Sequence, residues 1–239
     1  MTQAYLFAAG NGMRLRPLTN DVQKCLLPVG GKPMLKWWLD TVFKAECFDN
    51  VFVNLHHCAD KVEDWLDKYF LNTGYTPNII DERGKLLGTA GTLFWHGDTA
   101  SDFMVAYTDT FSGDIFKGYY LQYFAQKMKS MPDNIVAGLV CFDPPEDSSA
   151  GVLKVDKQKN VVSFHEKSNN GSLAWAGILF AKKEFYDYIR QEDRDLARDV
   201  FPRLIGKMRV LACVDAFDIG RGINHYEHLN KKLLSTPRH

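Results

Sequence analysis

Residues 5–14 read Tyr5-Leu6-Phe7-Ala8-Ala9-Gly10-Asn11-Gly12-Met13-Arg14, an apolar run that breaks on two glycines and ends in a cation. Residues 5–9 read as a short buried strand. Glycines at its carboxyl end let backbone N–H groups approach and cradle phosphate oxygens. An arginine just beyond them can pair with a polyphosphate through its planar fork. This is not a Walker loop, because the Gly-Lys-Ser/Thr ending is missing, nor the dinucleotide fingerprint, because the third glycine is absent. On glycine spacing alone, a tight strand-to-loop turn explains the stretch equally well.

Outward from that strand the chain alternates. Pro33 is placed as the first residue of a helix, which Leu35, Trp38, Leu39 and Val42 continue at helical spacing. Residues 51–55 read as a second strand. Val62, Trp65, Leu66 and Tyr69 give a second amphipathic helix, with Asp60 as its expected cap. Residues 78–80 are a short strand, a helix begins near Gly88-Thr89, and residues 103–107 are a buried strand ending at Thr108-Asp109. From Ile135 the pattern changes: residues 135–142, 152–155, 161–164 and 176–180 are strand-like, with turns between them. Ile223, Tyr226, Leu229 and Leu233 mark a final helix. The expected fold is α/β: a Rossmann-like, mostly parallel sheet flanked by helices, with a mixed, antiparallel portion in the second half. Ligands of such sheets bind beyond the carboxyl ends of the strands, so Gly10 and Asp109 are expected on one side.

At ~150 residues per domain, 239 residues fall between one domain and two. No stretch reads as a linker, so 1–239 is taken as a single domain with halves at 1–133 and 134–239. Lys plus Arg and Asp plus Glu both count 29, and the pI is near 7.0. That balance argues against a broad basic face for nucleic acid or an anionic membrane, while leaving room for a local basic pocket. A hydrophobic share of 46% is too rich for a disordered chain. No apolar run approaches the ~20 residues that span a bilayer. The start, Met1-Thr2-Gln3-Ala4-Tyr5, lacks the basic region of a secretion signal, so a cytoplasmic protein is expected. Cys25, Cys47, Cys58, Cys141 and Cys213 form no Cys-x-x-Cys pair, which favours reduced thiols over a zinc or redox site. His56 and His57 are adjacent on a strand, point to opposite faces, and do not easily share a metal. Trp37, Trp38 and Trp65 fall within amphipathic helices and read as core.

A second stretch, Gln23-Lys24-Cys25-Leu26-Leu27-Pro28, places a lysine shortly after the glycine loop. Together the two stretches closely resemble the sugar-1-phosphate nucleotidyltransferases. In that family a glycine loop leads to Arg-x-x-Pro-Leu-Thr and then Pro-Lys-x-Leu-x-Pro. Arg14, Pro17, Leu18 and Thr19 match the first motif, and Lys24, Leu26 and Pro28 the second. Leu87-Gly88-Thr89-Ala90-Gly91 resembles the base-binding segment, Thr108-Asp109 stands where the family has a metal-holding aspartate, and Glu166-Lys167 resembles the pair that meets the sugar phosphate. Phe217-Asp218-Ile219-Gly220 resembles the segment that supplies a second metal ligand. The likeness runs in order through nearly the whole chain.

The resemblance implies transfer of a nucleotidyl group from an NTP to a sugar 1-phosphate, with release of pyrophosphate. It implies Mg²⁺ on Asp109 and Asp218, Arg14 and Lys24 as catalytic cations, and Ala8, Ala9, Gly10, Gly12, Glu82, Gly88 and Thr89 as nucleotide contacts. Gly151, Glu166, Lys167 and Trp175 would hold the sugar phosphate. The first half then binds the nucleotide and the second the sugar phosphate, with room for a homo-oligomer. Four departures stand out: Met13 for Ser or Thr, Gln23 for the proline before the lysine (a looser loop), Tyr107-Thr108 for Asn-Gly, and Trp175 for an asparagine that touches the sugar. The Leu-Gly-Thr-Ala-Gly form resembles enzymes of GDP-mannose and GDP-heptose synthesis. Asp81-Glu82 offers carboxylates for the two donors of guanine, so GTP with a mannose- or heptose-type 1-phosphate is the first expectation. Asn54-Leu55-His56-His57 and the length resemble short UTP-dependent N-acetylmuramate-1-phosphate uridylyltransferases, the alternative. Phosphocholine-type cytidylyltransferases fit less well. A nucleotide-sugar-binding regulatory subunit without the chemistry is the reading of another class, and keeping Arg14, Lys24, Asp109 and Asp218 together argues against it.

Overall fold

The structure, a computed structural model, describes residues 2–144, 150–166, 168 and 171–235. Four strands build the first half: β1 (Thr2–Phe7), β2 (Asn50–Leu55), β3 (Asn78–Asp81) and β4 (Asp102–Tyr107). They lie in the order β3-β2-β1-β4, all parallel. The helices that make those crossovers are α1 (Met34–Lys44), α2 (Ala59–Thr73) and α3 (Gly88–His96). After β4 come α4 (Tyr119–Lys129) and β5 (Ala137–Phe142), β6 (Val152–Val155), β7 (Val161–His165), β8 (Leu173–Ala181) and β9 (Met208–Cys213). Together the strands form one nine-stranded sheet. β8 is its seam, antiparallel to β4, to β5 and, through Leu173 and Ala174, to β6. β9 runs parallel to β5, and α5 (Ile223–Ser235) closes the described chain. The mostly parallel first half and mixed second half are as expected.

β1 shows why the opening run is apolar without alternation. Ala4 and Leu6 enter a core with Trp38, Leu39 and Phe124 on one face, while Tyr5 and Phe7 enter a second core with Leu93, Phe103 and Phe185 on the other. A strand buried on both faces has no polar side to show. Each fully buried Phe or Leu contributes ~1.5–3 kcal/mol relative to exposure. Trp38 is fully buried, whereas Trp37 and Trp65 pack half-buried against the same core.

Local expectations differ at two points. Pro33 precedes α1 rather than opening it, because it pairs with Pro28 in a short ribbon. Asp60 does not cap α2. The residue before the helix is Cys58, left-handed at φ 51° and without a side-chain cap, while Asp60 accepts from Arg83 Nη1 at 2.6 Å. α4 and β9 are additional to the expected elements. All five cysteines are free thiols. Among the described residues no helix is long and apolar enough to cross a membrane.

Candidate active site

β1 ends at Phe7, and the chain then passes over the carboxyl end of the sheet. Asn54 reaches across from β2. Its Oδ1 accepts from the Ala8 and Ala9 amides at 2.7 and 3.2 Å, and its Nδ2 donates to Glu82 Oε1 at 3.0 Å. Glu82 is buried and also accepts from Thr92 Oγ1 and, at 3.0 Å, from the Leu87 amide. The structure therefore does not bring Glu82 to a base. Its carboxylate lies beneath the loops, committed to protein donors, and its neighbour Asp81 pairs with Arg83. Nor is the loop loosened by the loss of a proline. Gln23 donates to the carbonyls of Ala8 and, at 2.8 Å, Gly10, and accepts from the Cys25 amide at 2.9 Å. Gly12 stands at φ 60° with Thr19 against its α-carbon, where a Cβ would lie 3.0 Å from that side chain. It shapes the turn and lies outside the lining of the two main cavities.

Asp109 follows β4, and Asp218 returns beside it. Phe217–Asp218 pairs antiparallel with Thr110–Phe111, and the Ile219 amide donates to the Asp109 carbonyl at 2.9 Å. Lys24 pairs with Asp109 Oδ2. All three groups converge on Gly220, where a Cβ would stand 2.9 Å from Asp218 Oδ1, 3.1 Å from Asp109 Oδ2 and 3.1 Å from Lys24 Nζ. Burial and the Asp109 charge push the Asp218 carboxyl up to about 6, against the pull of Lys24. Burial opposes the charge on Lys24, but Asp109 and Asp218 outweigh it and raise the ammonium above its ordinary range. Adjacent carboxylates that repel each other are a hard oxygen pair suited to a divalent cation. No group of three or more His, Cys, Asp or Glu gathers among the described residues. One or two carboxylates completed by substrate phosphates and water is the common Mg²⁺ arrangement, and Asp109 and Asp218 fit it.

A cavity opens on each side of this cluster. One, of about 370 Å³, is lined by Ala8, Ala9, Gly10, Lys24, Gly88 and Thr89, with Tyr107 and Asp109 at its inner end. Its far wall comes from the second half, through Arg194, Asp195 and Arg198. That wall is locked on: the Arg194 carbonyl accepts from the Ala90 amide at 3.1 Å, and Thr89 Oγ1 accepts from the Leu196 amide at 3.0 Å. Gly88, at φ 79°, permits this approach, since a Cβ there would stand 2.3 Å from the Arg194 carbonyl oxygen. The other cavity, of about 210 Å³, brings Gly151, Glu166 and Trp175 together with Arg14, Asp109 and Asp218. The Trp175 amide donates to the Gly151 carbonyl at 2.9 Å, and its indole Nε1 donates to the Ile178 carbonyl at 2.9 Å, so the ring presents an apolar face. Tyr107 lines both cavities and meets Trp175 edge to face at 5.1 Å. Lys167 lies outside the described residues.

The sequence reading did not include Asn54 as a support, or Arg194, Asp195, Arg198 and Arg221 as cavity walls. Gln23 carried a signal, as the departure directly before Lys24. For the arginines the signal is only their placement in three dimensions.

A model of the family described as nucleotidyl transferase matches residues 3–234. The chain is 28% identical over 220 residues to a UTP–glucose-1-phosphate uridylyltransferase of Synechocystis, covering 85% of this chain and 55% of that protein. It is 28% identical over 219 residues to an N-acetylmuramate alpha-1-phosphate uridylyltransferase of Neisseria meningitidis, covering 87% of this chain and 85% of that one. The chain spans about half the length of several curated relatives it matches. A solved Bacillus anthracis structure, described as a glucose-1-phosphate thymidylyltransferase, superposes with a TM-score of 0.77 at 19% identity, covering 100% of this chain and 98% of that chain.

Proposed function

The chain belongs to the nucleotidyl transferase family, and from that premise we propose that it transfers a nucleotidyl group from an NTP to a sugar 1-phosphate, releasing pyrophosphate. The observation that carries this reading is the convergence of Lys24, Asp109 and Asp218 on Gly220 between two cavities. Two anions must meet there in line, so the protein's task is alignment and relief of repulsion. The attacking phosphate oxygen is already ionised at neutral pH, and no general base is required. Lys24 stabilises charge at the α-phosphate, and Arg14 holds the β- and γ-phosphates. The nucleoside lies against Ala8–Gly10, Gly88 and Thr89, and the sugar against Gly151, Glu166 and Trp175, with Lys167 on its phosphate. A divalent cation such as Mg²⁺, when bound by Asp109 and Asp218, would neutralise phosphate charge.

We take residues 1–239 as one nucleotidyltransferase domain of a cytoplasmic protein. GTP with a mannose- or heptose-type 1-phosphate is the pairing to test first, on the form of Leu87-Gly88-Thr89-Ala90-Gly91. With Glu82 and Asp81 engaged elsewhere, selection of the base falls to the loop backbone and the Arg194–Arg198 wall. UTP with N-acetylmuramic acid 1-phosphate is the second pairing, supported by the match to the Neisseria relative over 85% of that protein. The test is pyrophosphate release with Mg²⁺, crossing five NTPs with a panel of sugar 1-phosphates. Release from one pair establishes the reaction. Silence, with NTP binding seen by calorimetry, favours a regulatory subunit, and silence without binding removes the reading.

A further inference from the structure

The segment His56-His57-Cys58 joins β2 to α2, and the proposed reaction uses none of its side chains. It meets the glycine loop all the same. His57 Nε2 lies 3.0 Å from the Thr19 carbonyl oxygen. A carbonyl only accepts, so the ring carries its proton on Nε2 and donates it there. Cys58 Sγ, 3.3 Å from the same nitrogen, is a weak second acceptor. Thr19 is fully buried and passes the contact on, its Oγ1 donating to the Gly12 carbonyl at 2.7 Å. That carbonyl also accepts from the Leu15 amide at 2.9 Å, which closes the turn Met13–Leu15. Arg14 is the middle residue of the turn and lines the sugar-side cavity.

Resting on the nucleotidyl-transfer reading, we propose that His57 is a positioning residue, which acts through Thr19 and Gly12 to fix the turn that aims Arg14. The way the loop is held shows why such a brace matters. Its ends are tied close to the sheet, by Asn54 on the Ala8 and Ala9 amides and by Gln23 on the Ala8 and Gly10 carbonyls. The span between runs outward, with Met13 and Leu18 exposed. Leu15 roots the turn in the core, but apolar contact has no direction. An arginine fork pairs with two phosphate oxygens only when its plane is set. Hydrogen bonds are directional, and the chain from His57 through Thr19 to Gly12 supplies that direction. Lys61, in the first turn of α2, donates to the Asp21 carbonyl and holds the returning arm of the same span. The passage from β2 into α2 thus braces the loop along its length, with Asn54 at the root and His57 at the outer curve.

The test uses the shape of the ring. Glutamine places an amide N–H at the reach of Nε2, asparagine only at the reach of Nδ1, and leucine has no donor. With the substrate pair that wild type turns over, His57→Leu should lower kcat/KM for the NTP about 10-fold, the effect of leaving one buried acceptor without its donor. His57→Asn should match it, and His57→Gln should recover most of the rate. In an Arg14→Ala background, His57→Leu should cost less than about twofold more, because a residue that acts through Arg14 has nothing left to aim. Hydrogen–deuterium exchange of the peptide over 10–22, read by mass spectrometry without substrates, should quicken in His57→Leu and stay near wild type in His57→Gln. His57→Asn serves in both assays should His57→Leu not fold by circular dichroism. Losses that add in full in the double variant, or no recovery with glutamine, would overturn the role. Exchange that depends on His57 in a protein that turns over no substrate pair would keep the brace and remove the transfer reading. Turnover with rate and exchange indifferent to His57 would do the opposite.

Discussion

Lys24 is the residue on which the proposed chemistry is most exposed to test. It is partly buried, pairs with Asp109 and lines the proposed nucleotide cavity. Lys24→Ala should lower kcat for pyrophosphate release by ~10²–10³, the usual effect of removing one preorganised charge, with the circular dichroism spectrum unchanged. Glu82 gives the converse expectation. Because its carboxylate accepts only from Asn54, Thr92 and Leu87 among its hydrogen bonds described above, Glu82→Gln should lower the melting temperature while leaving the order of NTP preference as in wild type. A changed order in the NTP panel would return Glu82 to the base. These two residues mark what a sequence can say about a site. Lys24 lies in a motif whose spacing is local, so its position was legible. Glu82 lies next to a motif too, but whether a carboxylate points into a cavity or under a loop depends on Asn54, a partner on another strand.

At the scale of elements, the turn from Arg194 to Val200 carries most of what the sequence left unread. It touches α3 only after the chain has crossed the sheet, and no local pattern announces a contact across more than a hundred residues. The alternating first half, by contrast, was legible because each strand and helix shows its own period. α4 had the same period at Leu121, Phe124, Ala125 and Met128 and could have been read. The Arg194–Val200 turn is held by Asp199, which pairs with Arg198 and accepts from the Arg194 and Asp195 amides, each at 2.8 Å. The Arg198 bond, with those amides, lowers the Asp199 carboxyl to about 2. A carboxyl depressed in the folded state stabilises above its unfolded value and loses that effect as pH falls toward its folded one. Asp199→Asn should therefore melt below wild type at pH 7, and the gap should close between about pH 4 and about 2. A gap that persists at the acid end of a series of thermal melts would place the effect elsewhere. At pH 7 the variant should also show a higher KM for NTP, since one wall of the proposed nucleotide cavity rests on this turn.

For the molecule as a whole, the decisive feature is that β8 lies between β4 and β5. The two halves share one sheet, and the second half walls the cavity of the first. Melting should accordingly be a single transition, followed with the same midpoint by tryptophan fluorescence, which reports Trp38 and Trp175 from opposite halves, and by far-ultraviolet circular dichroism. Separate midpoints would mean the halves are independent. The order of strands was legible only in part. The alternation gave a parallel sheet, but that a late strand enters beside β4 follows from burying Ile178 and Phe180 with Met104 and Ala106 in one core.

Tyr107 lines both cavities, together with Asp109 and Asp195, so its ring is part of the party wall between two tenants. Whatever either occupant does to that ring, the other must feel. In the proposed reaction, any effect one substrate has on the other's dissociation constant is returned in equal size. A strand that ends in an aromatic residue thus gives the proposed substrate pair one shared neighbour before any bond is made.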